Sequence, residues 1–326
     1  MTSKIAVRDA GTDQLPDTDR DRVTTALSDA RAANTRTAYA KHWRYFTAWC
    51  AQRSDVDHAL SATPAVVAAF LADRATTQRT ASIKLAAAAI RSAYRTARLP
   101  DPTKTPIVRD TIRGIARQHA RHPDAAPRQA KALEYATAIR LLATAEQPRP
   151  RGRGHENPAT TRARAAGDKT IVSLLFCAGL RRSEAASVTW SDIEDAHSPP
   201  GALRVRVRAS KTNPDGSRQD HRLLVDPFAQ AIRDLRATLP DPQPSDRVIA
   251  LSPAHISKRL AALGRHAGIP GLSGHSGRHG LATELIRRGA STTAVQAAGG
   301  WKRPDMVSRY ASRVRIEDGA VAKYLA

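Results

Sequence analysis

The sequence predicts a mainly α protein: an all-helical N-terminal domain, then a mixed α+β, mostly helical domain with a small antiparallel sheet. Three observations predict it. Apolar residues recur at helical spacing through most of the chain. One stretch, ALRVRVRASKTNPDGSRQDHRLLV, alternates apolar and polar residues on both sides of the turn Asn213 to Gly216, which marks a hairpin or part of a three-stranded sheet. The length of 326 residues suits two domains, and RQHARHPDAAPRQAKAL, Arg117 to Leu133, breaks the periodicity between them with prolines and bases.

Taken in order, residues 1–20 are polar and aperiodic and are expected to form a mobile tail. A helical domain is expected over 21–118. After Asn34, a good N-cap, Tyr39, Trp43, Phe46 and Cys50 follow at i, i+4, i+7 and i+11, one stripe of a helix. Thr63-Pro64 reads as N-cap and first helical residue, with Val66, Val67, Phe70 and Leu71 buried. The third helix, TASIKLAAAAIRSAYRTARL, turns Ile83, Ile90 and Tyr94 inward and leaves Lys84, Arg91, Arg95 and Arg98 elsewhere on its surface. Val108, Ile112 and Ile115 mark the fourth. The aromatic stripes are read as core rather than as platforms for stacking bases.

The linker is placed at 119–132 and the second domain at 133–326. QPRPRGRGHENPATTRARAAGD, ending at Asp168, reads as a flexible basic loop, either touching phosphate or merely solvated. TIVSLLFCAGLRRSEAASVTWSDI reads as a buried helix, a break at Gly179 and a second helix, with Arg181 at the edge of the core. There a guanidinium can fork onto two phosphate oxygens, which an ammonium cannot. The strands display Arg204, Arg206 and Arg208 on one face, and Lys211 stands at the mouth of the turn.

Composition narrows the function. Lys and Arg total 52 against 30 Asp plus Glu, a net charge of +22, so the expected partner is a polyanion, most plausibly nucleic acid. No apolar run approaches the ~18 residues of a spanning helix, and a cytoplasmic location is expected. Cys50 and Cys177 are isolated and make neither a disulfide framework nor a zinc site.

The densest chemistry lies in GLSGHSGRHGLATELIRRGASTTAVQAAGGWKRPDMVSRY, Gly271 to Tyr310. His275 and His279 stand four apart, but Arg278 between them would repel a divalent cation, so no metal is expected. His275 and Arg278 instead form H-x-x-R at a helix N-terminus, which favours an anion. Trp301 follows Gly299-Gly300, Pro304 opens another helix, and Tyr310 comes six residues later.

The ordered set Arg181, Lys211, His275-x-x-Arg278, Trp301 and Tyr310 resembles the tyrosine recombinases, also called phage integrases. GHSGRHG, QAAGGW and the tail RVRIEDGAVAKYL look like the Cre-type members. The resemblance covers nearly the whole chain. It implies a helical core-binding domain, a catalytic domain, and a C-terminal helix that docks into a neighbouring protomer. It also implies that Tyr310 is the nucleophile and Lys211 the general acid, and that His275 handles the tyrosine proton. Arg181, Arg278 and Trp301 would stabilise the phosphate, with Glu184 and His279 in support. DNA contacts are expected from Lys84, Arg91, Arg95, Arg128 and Lys131. The expected activity is site-specific cleavage and rejoining of DNA through a 3′-phosphotyrosine and a Holliday junction, with no cofactor, metal or ATP. The expected partners are double-stranded DNA bearing an inverted-repeat site and a homotetramer on synapsed DNA, within the nucleoid and away from membranes. Two alternatives share the motifs: a type IB topoisomerase-like DNA-relaxing enzyme and a catalytically silent DNA-binding regulator.

Overall fold

The structure is a computed structural model that describes residues 15–29, 33–122, 130–208, 217 and 220–317. The chain divides into two compact units, Met1–Pro127 and Arg128–Ala326, each with its own core.

The first unit is helical: α1 (Asp17–Asp29), α2 (Ala33–Cys50), α3 (Pro64–Ala75), α4 (Thr80–Thr96) and α5 (Pro106–Ala120). The apolar stripes become its core, with Phe46, Phe70, Leu71, Ile83, Ile90 and Val108 buried together. Thr63 caps α3 by accepting the Val66 N–H. Tyr94 is buried, and its hydroxyl donates to the carbonyls of Ala59 and Ala62 at 3.0 and 2.9 Å, so the ring end stays satisfied inside the core. Three boundaries differ from expectation. α1 begins at Asp17, inside the stretch read as a tail, because DTDRDRVTTALSD has no strong apolar stripe to announce a helix. Asn34 lies in the first turn of α2 rather than capping it. α5 continues to Ala120, where the His119 ring bonds Thr80 at 2.8 Å and the Ala75 carbonyl at 3.1 Å.

The second unit runs α6 (Tyr135–Ala145), β1 (Pro150–Arg151), β2 (Gly154–His155), α7 (Pro158–Phe176), α8 (Arg182–Ala185), β3 (Ile193–Asp195), β4 (Leu203–Val207), β5 (Asp220–Leu224), α9 (Phe228–Ala237), α10 (Pro253–His266), α11 (Ser276–Arg287), α12 (Thr292–Gly299) and α13 (Pro304–Glu317). The sheet is antiparallel in the order β3-β4-β5, with Val205 opposite Ile193 on one side and Arg222 on the other. Its alternation holds: Leu203, Val205 and Val207 are buried. On the outer face Arg204 meets Glu194, while Arg206 and Arg208 converge on Asp192 at 3.1 and 2.6 Å. α7 is apolar on nearly every side from Ile171 to Phe176 and forms the axis around which the core is built.

Residues 147–168 are not the flexible loop expected. They form a two-stranded hairpin and then the first three turns of α7, and two of their bases, Arg149 and Arg164, face inward. Asp168, 1 % exposed, accepts from Arg149 and Arg259 at 2.7 Å each and from Arg164 at 3.2 Å; Arg164 also pairs with Glu156 at 2.8 Å. A carboxylate buried on a core helix needs counter-charges; this basic run supplies two, and α10 supplies the third, Arg259. Lys211 and Arg128, the turn at Asn213 to Gly216, and the tail from Asp318 to Ala326 lie outside the described residues. Among those described, no helix is long and apolar enough to cross a membrane.

Candidate active site

α7 ends at Phe176, and the chain turns at Gly179 with a φ of +59°, where glycine alone is unstrained. The turn delivers Arg181 to the start of α8. Glu184, buried in the first turn of α8, accepts the Arg181 backbone N–H at 2.8 Å and forms an ion pair with its guanidinium. One carboxylate thus fixes both the main chain and the side chain of this arginine.

Arg278 reaches the same place from α11. Two glycines let the first turn of α11 press against the chain below it: a Cβ on Gly277 would stand 2.4 Å from the Leu175 carbonyl oxygen, and one on Gly280 1.8 Å from that of Leu133. The Leu133 N–H donates to the Ser276 carbonyl at 3.0 Å across this contact. Arg278 is 4 % exposed, and its Nη1 donates to the Gly179 carbonyl at 2.6 Å. The turn that carries Arg181 therefore also anchors Arg278. Nη2 of Arg278 is buried with no hydrogen-bond partner among the described residues. The guanidinium lies over the Trp301 ring at 4.2 Å. Burial, and secondarily the charge of Arg181, pull its pKa down to about 10, against the opposing pull of Glu184 and Tyr310.

α12 ends on Gly300 in the left-handed region, which throws Trp301 back into the fold, 6 % exposed. Tyr310 sits half-buried on α13, its ring 4.8 Å from His279 and 5.9 Å from Trp301 between centroids. His279 has its Nδ1 2.7 Å from the Ala130 carbonyl. A carbonyl can only accept, so Nδ1 is the donor of this bond. His279, expected as a supporting residue, is the histidine whose ring packs on Tyr310. His275 is exposed at the N-cap of α11.

The structure thus gathers Arg181, Glu184, Arg278, His279, Trp301 and Tyr310. It adds Arg222, which the sequence reading passed over: a buried arginine on β5 whose pKa is drawn down by burial and by the charge of Arg181, against Asp220 and Glu184, and whose own charge helps lower that of Arg278. A signal for it existed, since period-two alternation puts Arg222 on the same face as the buried Leu224. Three guanidiniums gather beside two carboxylates, Glu184 and Asp220, and the surplus is positive. Such an arrangement has the charge to hold an anion, beside a phenol with the chemistry of a nucleophile. In the other unit Lys84, Arg91 and Arg95 are exposed along α4, although Arg91 also bonds Thr103 and Asp101 at 3.1 and 3.2 Å. Lys131 is exposed just before Leu133.

Fold and site define an enzyme of the tyrosine site-specific recombinase class. A sequence model of the phage integrase family matches residues 140–315, more than half of the chain, and the chain belongs to that family. It is 25 % identical over 317 residues to an integrase/recombinase xerD homolog of Selenomonas ruminantium, covering 91 % of this chain and 85 % of that one. Among solved structures it resembles the XerH site-specific recombinase bound to a palindromic difH substrate, with a TM-score of 0.65 and 16 % identity over 98 % of this chain and 90 % of the other. A lambda integrase dimer bound to a COC′ core site gives a TM-score of 0.57 and 18 % identity over 89 % of this chain and 75 % of that one.

Proposed function

We propose that this chain recombines or integrates DNA at specific sites by forming a 3′-phosphotyrosine. The Tyr310 hydroxyl attacks the scissile phosphorus; the P–O5′ bond breaks as the P–O(Tyr) bond forms. The phenol gives up its proton toward His275 as it attacks, and the departing 5′ oxygen takes one from Lys211. His279 holds the tyrosine ring. Arg181, Arg278 and Trp301 stabilise the charge that builds on the non-bridging oxygens. One phosphoester replaces another, so a second 5′ hydroxyl can reverse the attack without an external energy source. The Glu184 ion pair keeps Arg181 oriented through the cycle.

The observation that carries this reading is Arg278: a buried guanidinium whose Nη2 has no hydrogen-bond partner among the described residues, sharing the Trp301 ring with Tyr310. Burying a charge and leaving one of its donors unused is unfavourable unless an anion is to be received there. Double-stranded DNA with inverted repeats is the proposed substrate. The helical unit, with its α4 bases, serves as the core-binding domain. A Cre-like arrangement in which the tail from Asp318 docks on a neighbouring protomer would assemble a tetramer on two synapsed duplexes in the nucleoid; lambda integrase is seen as a tetramer on a Holliday junction. The test is Tyr310→Phe on a nicked suicide substrate. Half-site binding is expected to persist while the covalent adduct disappears; an adduct surviving in the variant moves the nucleophile elsewhere, with Tyr324 the nearest rival.

A further inference from the structure

Arg222 has no part in the reaction above. It stands on β5, the strand that leads out of the segment holding Lys211, and is 5 % exposed. Its Nη1 donates to the His221 carbonyl at 2.7 Å, its Nη2 lies 3.7 Å from Asp220, and its Nε has no hydrogen-bond partner among the described residues. This is thin compensation for a buried guanidinium, and an apolar side chain of similar length would fill the space at lower cost. Burial draws its pKa down, as does Arg181, against Asp220 and Glu184.

What the guanidinium touches gives it a purpose. A Cβ on Gly300 would lie 1.8 Å from Nη2 of Arg222, and a Cβ on Gly299 1.9 Å from the Trp301 ring. The two glycines leave room for a cation on one side and an indole on the other. The indole in turn carries Arg278 at 4.2 Å and Tyr310 at 5.9 Å. A packed path therefore runs from β5 through Arg222 to the Gly299–Gly300 turn, and from Trp301 to both the phosphate donor and the nucleophile.

We propose that Arg222 is a positioning residue of the recombination site. Its guanidinium clamps the Gly299–Gly300 turn against β5 and sets Trp301, and through it Arg278 and Tyr310, in register with the strand that follows Lys211. The inference rests on the reaction proposed above, and its test has one arm that does not depend on it.

That arm is amide hydrogen exchange on the full chain. Arg222→Met is expected to speed exchange across Gly299 to Lys302 at least tenfold, while Arg233→Gln, which loses an exposed ion pair with Asp195, leaves it unchanged. Unaltered protection of that segment in Arg222→Met overturns the proposal whatever the protein does to DNA. The second arm is single-turnover cleavage of a suicide substrate by Arg222→Met, Arg222→Lys, Trp301→Phe and the Arg222→Met, Trp301→Phe pair. Cleavage is expected to fall at least tenfold in Arg222→Met and to recover in part in Arg222→Lys. Half-site affinity should stay within threefold. The pair should cleave no more slowly than Trp301→Phe alone, because Arg222 acts through that ring. Cleavage within threefold of the parent, or losses that multiply in the pair, overturns the clamp. Absence of any adduct in the parent protein counts against the reaction, and exchange then decides the clamp by itself.

Discussion

Replacing Arg278 with Met should separate stability from activity. The guanidinium is 4 % exposed, and burial has pulled its pKa down to about 10. At ~1.4 kcal/mol per tenfold change in proton affinity, that depression corresponds to roughly 3 kcal/mol by which the charge weakens the fold at neutral pH. Methionine removes that cost. It also leaves the Gly179 carbonyl without its donor, worth about 1–3 kcal/mol, and deletes the cation–π contact with Trp301, worth about 0.5–2 kcal/mol. The terms nearly cancel, so the variant should melt within about 5 °C of the parent, at ~2–4 °C per kcal/mol for a domain of this size. Cleavage should instead fall about 10²- to 10³-fold, the usual loss when one pre-organised donor to a developing oxyanion is removed. The pH dependence has a definite sign. A base whose folded pKa is depressed weakens the fold in full below that pKa, and the penalty shrinks progressively as pH rises from there toward the pKa of the unfolded chain. The parent should therefore gain stability relative to the variant above pH ~10. Differential scanning calorimetry and adduct accumulation on a suicide substrate give the two readouts. A melting point lowered by more than about 10 °C, or cleavage within tenfold of the parent, would refute the reasoning.

Three further outcomes follow from the same geometry. Asp168→Asn leaves Arg149, Arg164 and Arg259 facing an uncharged amide, and breaking a buried ion network of this kind costs about 3–5 kcal/mol; thermal melting should show it, and an unshifted midpoint would mean that the three arginines are satisfied elsewhere. Lys211→Ala should cleave an ordinary phosphodiester poorly but recover on a bridging 5′-phosphorothiolate, whose sulfur leaves without a proton; no recovery would assign the general acid to another group. With a net charge of +22 in the chain, half-site binding should weaken linearly in log–log salt titrations with a slope steeper than about −5, and a slope of −1 or −2 would rule out phosphate contacts from both units.

Local periodicity and residue order determined a good deal by themselves. Phe46, Phe70, Ile83 and Ile90 are buried because a 3.6-residue repeat selects one face of a helix whatever lies opposite. Leu203, Val205 and Val207 are buried because a strand alternates. The ordered set Arg181, Lys211, His275-x-x-Arg278, Trp301 and Tyr310 carries the resemblance to the tyrosine recombinases, and the expected chemistry is what that resemblance implies. Tertiary structure alone decided which charges turn inward. Arg149 and Arg164 belong to a run that reads as a loop touching phosphate or merely solvated until Asp168 is found beside them, joined by Arg259 from 91 residues along the chain. Strand alternation puts Arg222 on the inward face, but the space its guanidinium occupies is left by Gly300, far along the chain. His279, rather than His275, packs on Tyr310 because the Ala130 carbonyl, 149 residues away, holds its Nδ1. A periodic pattern records which side of an element avoids water, but the partner of a buried charge comes from a distant part of the chain, and only the packed fold brings the two within reach.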